Sequence, residues 1–184
     1  METLKCKACG YVVRSDKLKE ICPACGVPRT AFEPYKETMS PARKKILDLN
    51  LHPITVHFPQ AMAVMLPPFL IFTLIFDIRL SAELLITVRV LSVLLPLSVC
   101  AAAFCGLIDA KTRFKRLTTP LLIKKIITGS VLAALSTAVA GIAFFMGTDY
   151  PARVYLLVLS AACVGCEIIL GEIGKTLISA KLPG

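Results

Sequence analysis

The chain has 184 residues, 56% of them hydrophobic, with a mean hydropathy of +0.75, no Trp, and 21 Lys+Arg against 12 Asp+Glu. Soluble domains use about 45–50% apolar residues, so this balance excludes a disordered chain and an ordinary soluble domain. The long apolar runs all begin after residue 50, which leaves a small polar head in front of an apolar body.

The head reads Cys6-Lys-Ala-Cys9-Gly10-Tyr11 and, twelve residues on, Cys22-Pro23-Ala-Cys25-Gly26-Val-Pro28. Two CxxC pairs bring four thiolates within tetrahedral reach of one metal. A Gly after the second Cys of each pair supplies the positive φ of a tight knuckle, and backbone N–H groups in such a knuckle point at the sulfurs and tune the ion. Four sulfurs suit zinc or iron. A head of about 35 residues cannot build an adequate core alone, so the metal must supply much of its folding energy. Four unligated cysteines would be a poor explanation of so regular a spacing.

Spacing does not choose between structural zinc and redox iron. The run Cys-x-x-Cys-Gly-Tyr, then Cys-Pro-x-Cys-Gly-x-Pro, then Phe32-Glu33-Pro34-Tyr35, resembles the short rubredoxin-like domain at the end of rubrerythrins, over residues 4–36. The resemblance implies one iron held by Cys6, Cys9, Cys22 and Cys25 and cycling between ferric and ferrous, with zinc as the alternative. Tyr11 and Phe32 read as packing residues that shield the metal.

Residues 37–50 form a basic linker. Ser40-Pro41 suits a helix start, and Ile46, Leu47 and Leu49 among basic residues suit a short interfacial helix. The body, 51–184, holds four apolar runs at about 57–76, 84–108, 121–147 and 153–174. Each has the roughly 20 residues that cross a hydrocarbon core of about 30 Å as a helix. Pro67, Pro68 and Pro96 are tolerable as kinks. The fold class is therefore a small metal-knuckle head on an all-α four-helix transmembrane bundle.

Charge sets the expected orientation. Lys36, Arg43, Lys44 and Lys45 precede the first run, and Lys111, Arg113, Lys115, Arg116, Lys124 and Lys125 lie around the start of the third. The other two gaps carry only Asp77, Arg79 and Glu83, and Asp149 and Arg153. Positive residues favour the cytoplasmic side, so both termini and the middle loop are expected in the cytoplasm, on a multi-pass inner-membrane protein whose bilayer accounts for the +9 charge. Nucleic acid is not an expected partner. In the reducing cytoplasm paired cysteines mean metal or catalysis rather than disulfides.

Both histidines lie at the membrane edge, in Leu51-His52-Pro53-Ile-Thr-Val-His57-Phe58-Pro59. Five residues apart on a straight helix they diverge by about 140° and cannot clamp one metal; Pro53 and Pro59 are the residues that would break that helix. The plain reading is interfacial histidines bonded to backbone. The motif His-Pro-x-x-x-His-Phe-Pro also resembles the opening of a four-helix bacterial membrane domain of unknown function, some members of which carry Rieske-type or other redox modules. Ligand chemistry allows a haem b held by His57, with His52, Met62 or a second protomer of a homo-oligomer as the second ligand, and makes His52 and His57 the candidate contacts of a quinone. Where members often have another histidine, near the start of the third helix, this chain has Lys124 and Lys125.

Four more cysteines lie in apolar runs, Cys100, Cys105, Cys163 and Cys166, and read as small packing residues at helix contacts. Glu167 lies about 21 Å into the fourth run at 1.5 Å per residue. An intramembrane carboxylate is expensive and a functional candidate by default, here for proton handling or quinone contact, against a structural hydrogen bond. Glu172 and Asp109 lie nearer the cytoplasmic surface. Arg89, near the opposite face, is a poor partner for Glu167.

No phosphate-cradling glycine loop, His-Glu-x-x-His or nucleophile elbow occurs. The expectation is a membrane-anchored rubredoxin-like electron carrier rather than a stand-alone enzyme. It takes electrons from a cytoplasmic donor protein and passes them to a membrane redox group or docked membrane partner. The alternative is a structural zinc ribbon that recruits a cytoplasmic protein to a membrane anchor. A small transporter built on Glu167 ranks last, because the chain has no inverted repeat.

Overall fold

The computed structural model describes residues 2–36, 40–76, 78–114 and 117–178. Met1, Glu37, Thr38 and Met39 of the linker, the loop charges Asp77, Lys115 and Arg116, and residues 179–184 lie outside the described residues. The chain forms two compact units, one built on residues 1–41 and the other on 42–177.

The head is a three-stranded antiparallel sheet of order β2-β1-β3, with β1 at Thr3–Cys6, β2 at Val12–Arg14 and β3 at Phe32–Pro34. Lys5 pairs with Val12 on one side and Cys6 with Phe32 on the other. Arg29 ties the intervening loop down, its Nη1 donating to the Leu18 carbonyl at 2.7 Å and its Nη2 to the Ser15 carbonyl at 3.2 Å. Among the described head residues the buried apolar side chains are Cys6, Leu18 and Cys22 alone. Three residues are too few to hold such a unit.

The second unit is helical: α1 Pro41–Asp48, α2 Leu51–Thr55, α3 His57–Ile75, α4 Arg79–Arg113, α5 Pro120–Phe145 and α6 Tyr150–Ile178. Asn50, at φ +49°, ends α1; Asn is among the few residues that enter the left-handed region readily. The run expected at 84–108 lies inside the longer α4. Among the described residues there are four helical stretches long and apolar enough to cross a membrane, the first of them Pro41–Ile75, which is interrupted at Asn50 and Val56. Helices α3 to α6 are about 28 to 52 Å long at 1.5 Å per residue, so each covers or nearly covers a hydrocarbon core.

Among the described residues, hydroxyl side chains are buried beside an apolar core, while many bulky apolar side chains face outward. Ser92, Ser136 and Ser160, one on each of α4, α5 and α6, are fully buried, with Thr73 and Ser81 nearly so. Phe145 is 85% exposed and Ile86 68%, and Leu97, Phe104, Val158 and Ile168 also face outward. Small and hydroxyl residues let helix backbones approach closely, which leaves the bulky apolar side chains on the outer surface of the helices. The apolar core joins Leu66 and Leu70 of α3, Leu95 and Val99 of α4, Leu132 and Val139 of α5, and Leu156 and Cys163 of α6.

Side chains lock both ends. At one, Arg43 of α1 donates through Nε to the Thr112 carbonyl of α4 at 3.0 Å. At the other, Arg153 of α6 donates to the carbonyls of Thr148 at 2.9 Å and Thr73 at 2.8 Å. The first end carries Arg43, Lys44, Lys45, Lys111, Arg113, Lys124 and Lys125; the second carries Arg79, Glu83, Asp149 and Arg153.

Candidate metal centre

The two CxxC segments fold into matched knuckles. In the first, the Cys6 N–H donates to the Tyr11 carbonyl at 2.8 Å and the Gly10 N–H to the Cys6 carbonyl at 2.9 Å. In the second, Cys22 donates to Val27 at 2.8 Å and Gly26 to Cys22 at 2.9 Å. Gly10 and Gly26 both sit at φ +77°, where a side chain is strained. The doubled sequence motif is thus a doubled backbone turn.

The turns aim four sulfurs at one point. Cys6 Sγ lies 3.7 Å from Cys25 Sγ and Cys9 Sγ 3.7 Å from Cys22 Sγ, each pair spanning the two knuckles. All four ligand atoms fall within 4.8 Å of one another. A tetrahedron with metal–sulfur bonds of about 2.3 Å has edges of about 3.8 Å. The donor set therefore fits a single four-thiolate iron or zinc ion, with Cys6 and Cys22 buried and Cys9 and Cys25 toward the surface.

Electrostatics explain why a cation is needed. Burial pushes the Cys22 thiol up, but the N–H groups of Cys25 and Ala24 and the thiols of Cys25 and Cys9 together draw it down to about 7. The Tyr11 N–H pulls Cys9 down, yet burial and the thiols of Cys25, Cys6 and Cys22 outweigh it and push Cys9 up to about 12. At Cys25 the Val27 N–H and the Cys9 thiol lower the value, and burial with the thiols of Cys22 and Cys6 raises it overall. One thiolate is easily formed; a full set of four needs a positive ion among them.

Tyr11 acts here through its backbone. Its carbonyl closes the first knuckle and its N–H faces Cys9, while its side chain is 39% exposed. It gives the metal less cover than expected; Phe32 is half-buried beside β1.

His52 and His57 have different surroundings. The chain turns at Val56, between α2 and α3. His52 is half-buried and His57 is exposed. His52 Nδ1 lies 3.1 Å from the Ala102 carbonyl and Nε2 lies 3.2 Å from Lys125 Nζ. A carbonyl only accepts, so Nδ1 carries the proton and Nε2 offers its lone pair to the Lys125 ammonium. Gly106 makes room for the ring, since a Cβ there would lie 2.9 Å from His52 Cε1. Both ring nitrogens are thus engaged, and the Met62 sulfur accepts from the Ser98 hydroxyl at 3.6 Å. His52 and Met62 are each held by partners within the chain, which gives no support to an axial haem pair made of them with His57. Lys125, near the start of α5, supplies the cation that caps His52.

Glu167 is buried, 7% exposed, and both its carboxylate oxygens lack a hydrogen-bond partner among the described residues. The structural hydrogen bond considered for it is absent among those residues. Glu172 instead pairs with Lys175 at 2.6 Å and Asp109 with Arg113 at 3.5 Å, both pairs at or near the surface. Cys163 is buried, Cys166 and Cys105 are half-buried and Cys100 is exposed. Among the described residues the cluster of metal-ligating side chains is the four-cysteine set of the head.

Paired knuckles converging four thiolates define a mononuclear cysteine metal site on a short sheet. Residues 5–33 match the family of the rubrerythrin, rubredoxin-like domain. A rubrerythrin from Porphyromonas gingivalis is 50% identical over 32 residues, which are 17% of this chain and 16% of that protein. The likeness covers the head alone. No solved structure matches the chain significantly. The head is a rubrerythrin-type rubredoxin-like domain, joined to a helical region of long apolar helices.

Proposed function

We propose that this protein is a membrane-anchored one-electron carrier of the cytoplasmic membrane, with iron in the four-cysteine site. The observation that carries the reading is the pair of matched knuckles in a domain of rubredoxin-like sequence, whose amides face the sulfurs. A single iron supplies one-electron chemistry between ferric and ferrous states when bound there. The chain's own part is to hold and position: Cys6 and Cys22 anchor the site from the buried side, and Cys9 and Cys25 form the edge nearest the surface. That edge is where a donor protein docks. N–H groups of Tyr11, Ala24, Cys25 and Val27 spread the negative charge of the sulfurs, which favours the reduced state of a site with four thiolates.

The apolar helices hold the head at a bilayer. Basic residues gathered at the α1, α4–α5 end support a cytoplasmic position for that end and for the head that precedes it. The acceptor is a membrane-dissolved quinone or the redox group of a docked membrane protein. For a quinone, exposed His57 and the Lys125 ammonium are the donors nearest the basic mouth. The test is metal analysis of full-length protein purified from membranes in mild detergent, beside the Cys6→Ser variant. The reading expects one iron per chain, lost in the variant. Zinc alone, also after anaerobic preparation from iron-rich cells, would replace it with a zinc ribbon on a membrane anchor.

A further inference from the structure

Glu167 stands on the inward stripe of α6 that runs Ala152, Leu156, Ser160, Cys163 and Glu167. Arg153 at the start of this helix reaches the Thr73 carbonyl near the end of α3 at 2.8 Å, so α6 runs antiparallel to α3. Fourteen residues further on, about 21 Å along the axis, Glu167 lies level with the first turn of α3. It is therefore in the half of the bundle nearer the basic end, with Gly171 and Gly174 on the remaining turns of α6.

Neither oxygen has a hydrogen-bond partner among the described residues. The ionisable groups beside it are Cys163 and Cys166 of its own helix, and no charged side chain of α3, α4 or α5 among the described residues is set against it. A buried ionised carboxylate with no cation or donor group of the protein beside it is far costlier than the neutral acid. A metal cation does not suit the place either, because calcium or magnesium wants about six oxygens. The next oxygen on the stripe, Ser160 Oγ, is two turns away and donates to the Leu157 carbonyl at 3.1 Å. The ligand that fits one carboxyl among apolar groups is a proton.

We propose that Glu167 is a proton-binding site of the bundle, a carboxylic acid that gives its proton to water at the basic mouth and takes it back. The step is the simple dissociation of –COOH to –COO⁻ and H⁺, with water as the carrier. It does not depend on which metal the head holds.

The test uses full-length protein in mild detergent and dicyclohexylcarbodiimide, a lipid-soluble reagent that modifies protonated carboxyls in apolar surroundings. Peptide mass mapping is read across a pH series, with the E167Q variant as control. The expected result is an adduct in the peptide containing Glu167, forming more slowly as pH rises, with Glu172 and Asp109 unmodified and no adduct in E167Q. Absence of the Glu167 adduct from folded wild-type protein, or a labelling rate that ignores pH, overturns the proposal. The wild-type map is decisive even if E167Q fails to fold.

Discussion

Metal loading of the head should be strongly coupled to pH, and the coupling follows from the crowding of its thiols. Without an ion, Cys22 is drawn to about 7 while Cys9 is pushed up to about 12 and Cys25 is raised above the ordinary 9.0. Between about pH 7 and 9, Cys22 is already largely ionised, and Cys9 and Cys25 still hold their protons. A metal needs all of them as thiolates, so binding expels at least the protons of Cys9 and Cys25. Each proton released raises the apparent affinity about tenfold per pH unit, and two raise it about 100-fold. The sign is tighter binding at higher pH. Competition for zinc between the demetallated, reduced full-length protein and a chromophoric chelator, at two pH values one unit apart, measures this slope. A rise of tenfold or less would refute the argument, because it would mean that the thiols ionise independently before the metal arrives.

Three substitutions probe the rest of the structure. Cys22→Ser removes one of the three buried apolar side chains of the head together with a ligand, so metal is lost and the head becomes protease-sensitive, whereas Cys100→Ser leaves metal content unchanged. Gly106→Ala drives a Cβ to 2.9 Å from His52 Cε1, while Gly129 has nothing within 4 Å of such a Cβ. Detergent-phase denaturation should find Gly106→Ala less stable than Gly129→Ala by about 1–3 kcal/mol, the cost of a displaced buried hydrogen bond. That difference should vanish in a His52→Ala background; its survival would place the strain elsewhere. Arg153→Met removes the bonds to Thr148 and Thr73 and should cost about 1.5–3 kcal/mol, read as a lower thermal midpoint. An unchanged midpoint would deny that Arg153 ties α6 to α3.

The four-cysteine site was legible because its geometry is local. Two residues between ligands and a glycine after the second dictate a turn, and the structure places Gly10 and Gly26 at the same φ. The four apolar helices were legible because lipid-spanning length is a property of composition. The environment of His52 was not. Its partners, Ala102 and Lys125, are 50 and 73 residues away, and only the packing of α2 against α4 and α5 makes the neighbourhood. Two apolar-run lysines read alike in sequence, yet Lys125 caps an imidazole and Lys124 is exposed. The break at Val56 separated two histidines that spacing had already set apart, and left His57 outside. Burial of Glu167 followed from its position in a helix, but the lack of a partner is a fact of three dimensions.

A potentiometric titration of the full-length protein in detergent, followed by visible absorption, tests the central claim most directly. The account predicts ferric-thiolate bands from one iron per chain that bleach and return reversibly along a one-electron curve. A colourless protein holding one zinc per chain, unchanged by dithionite, would contradict it.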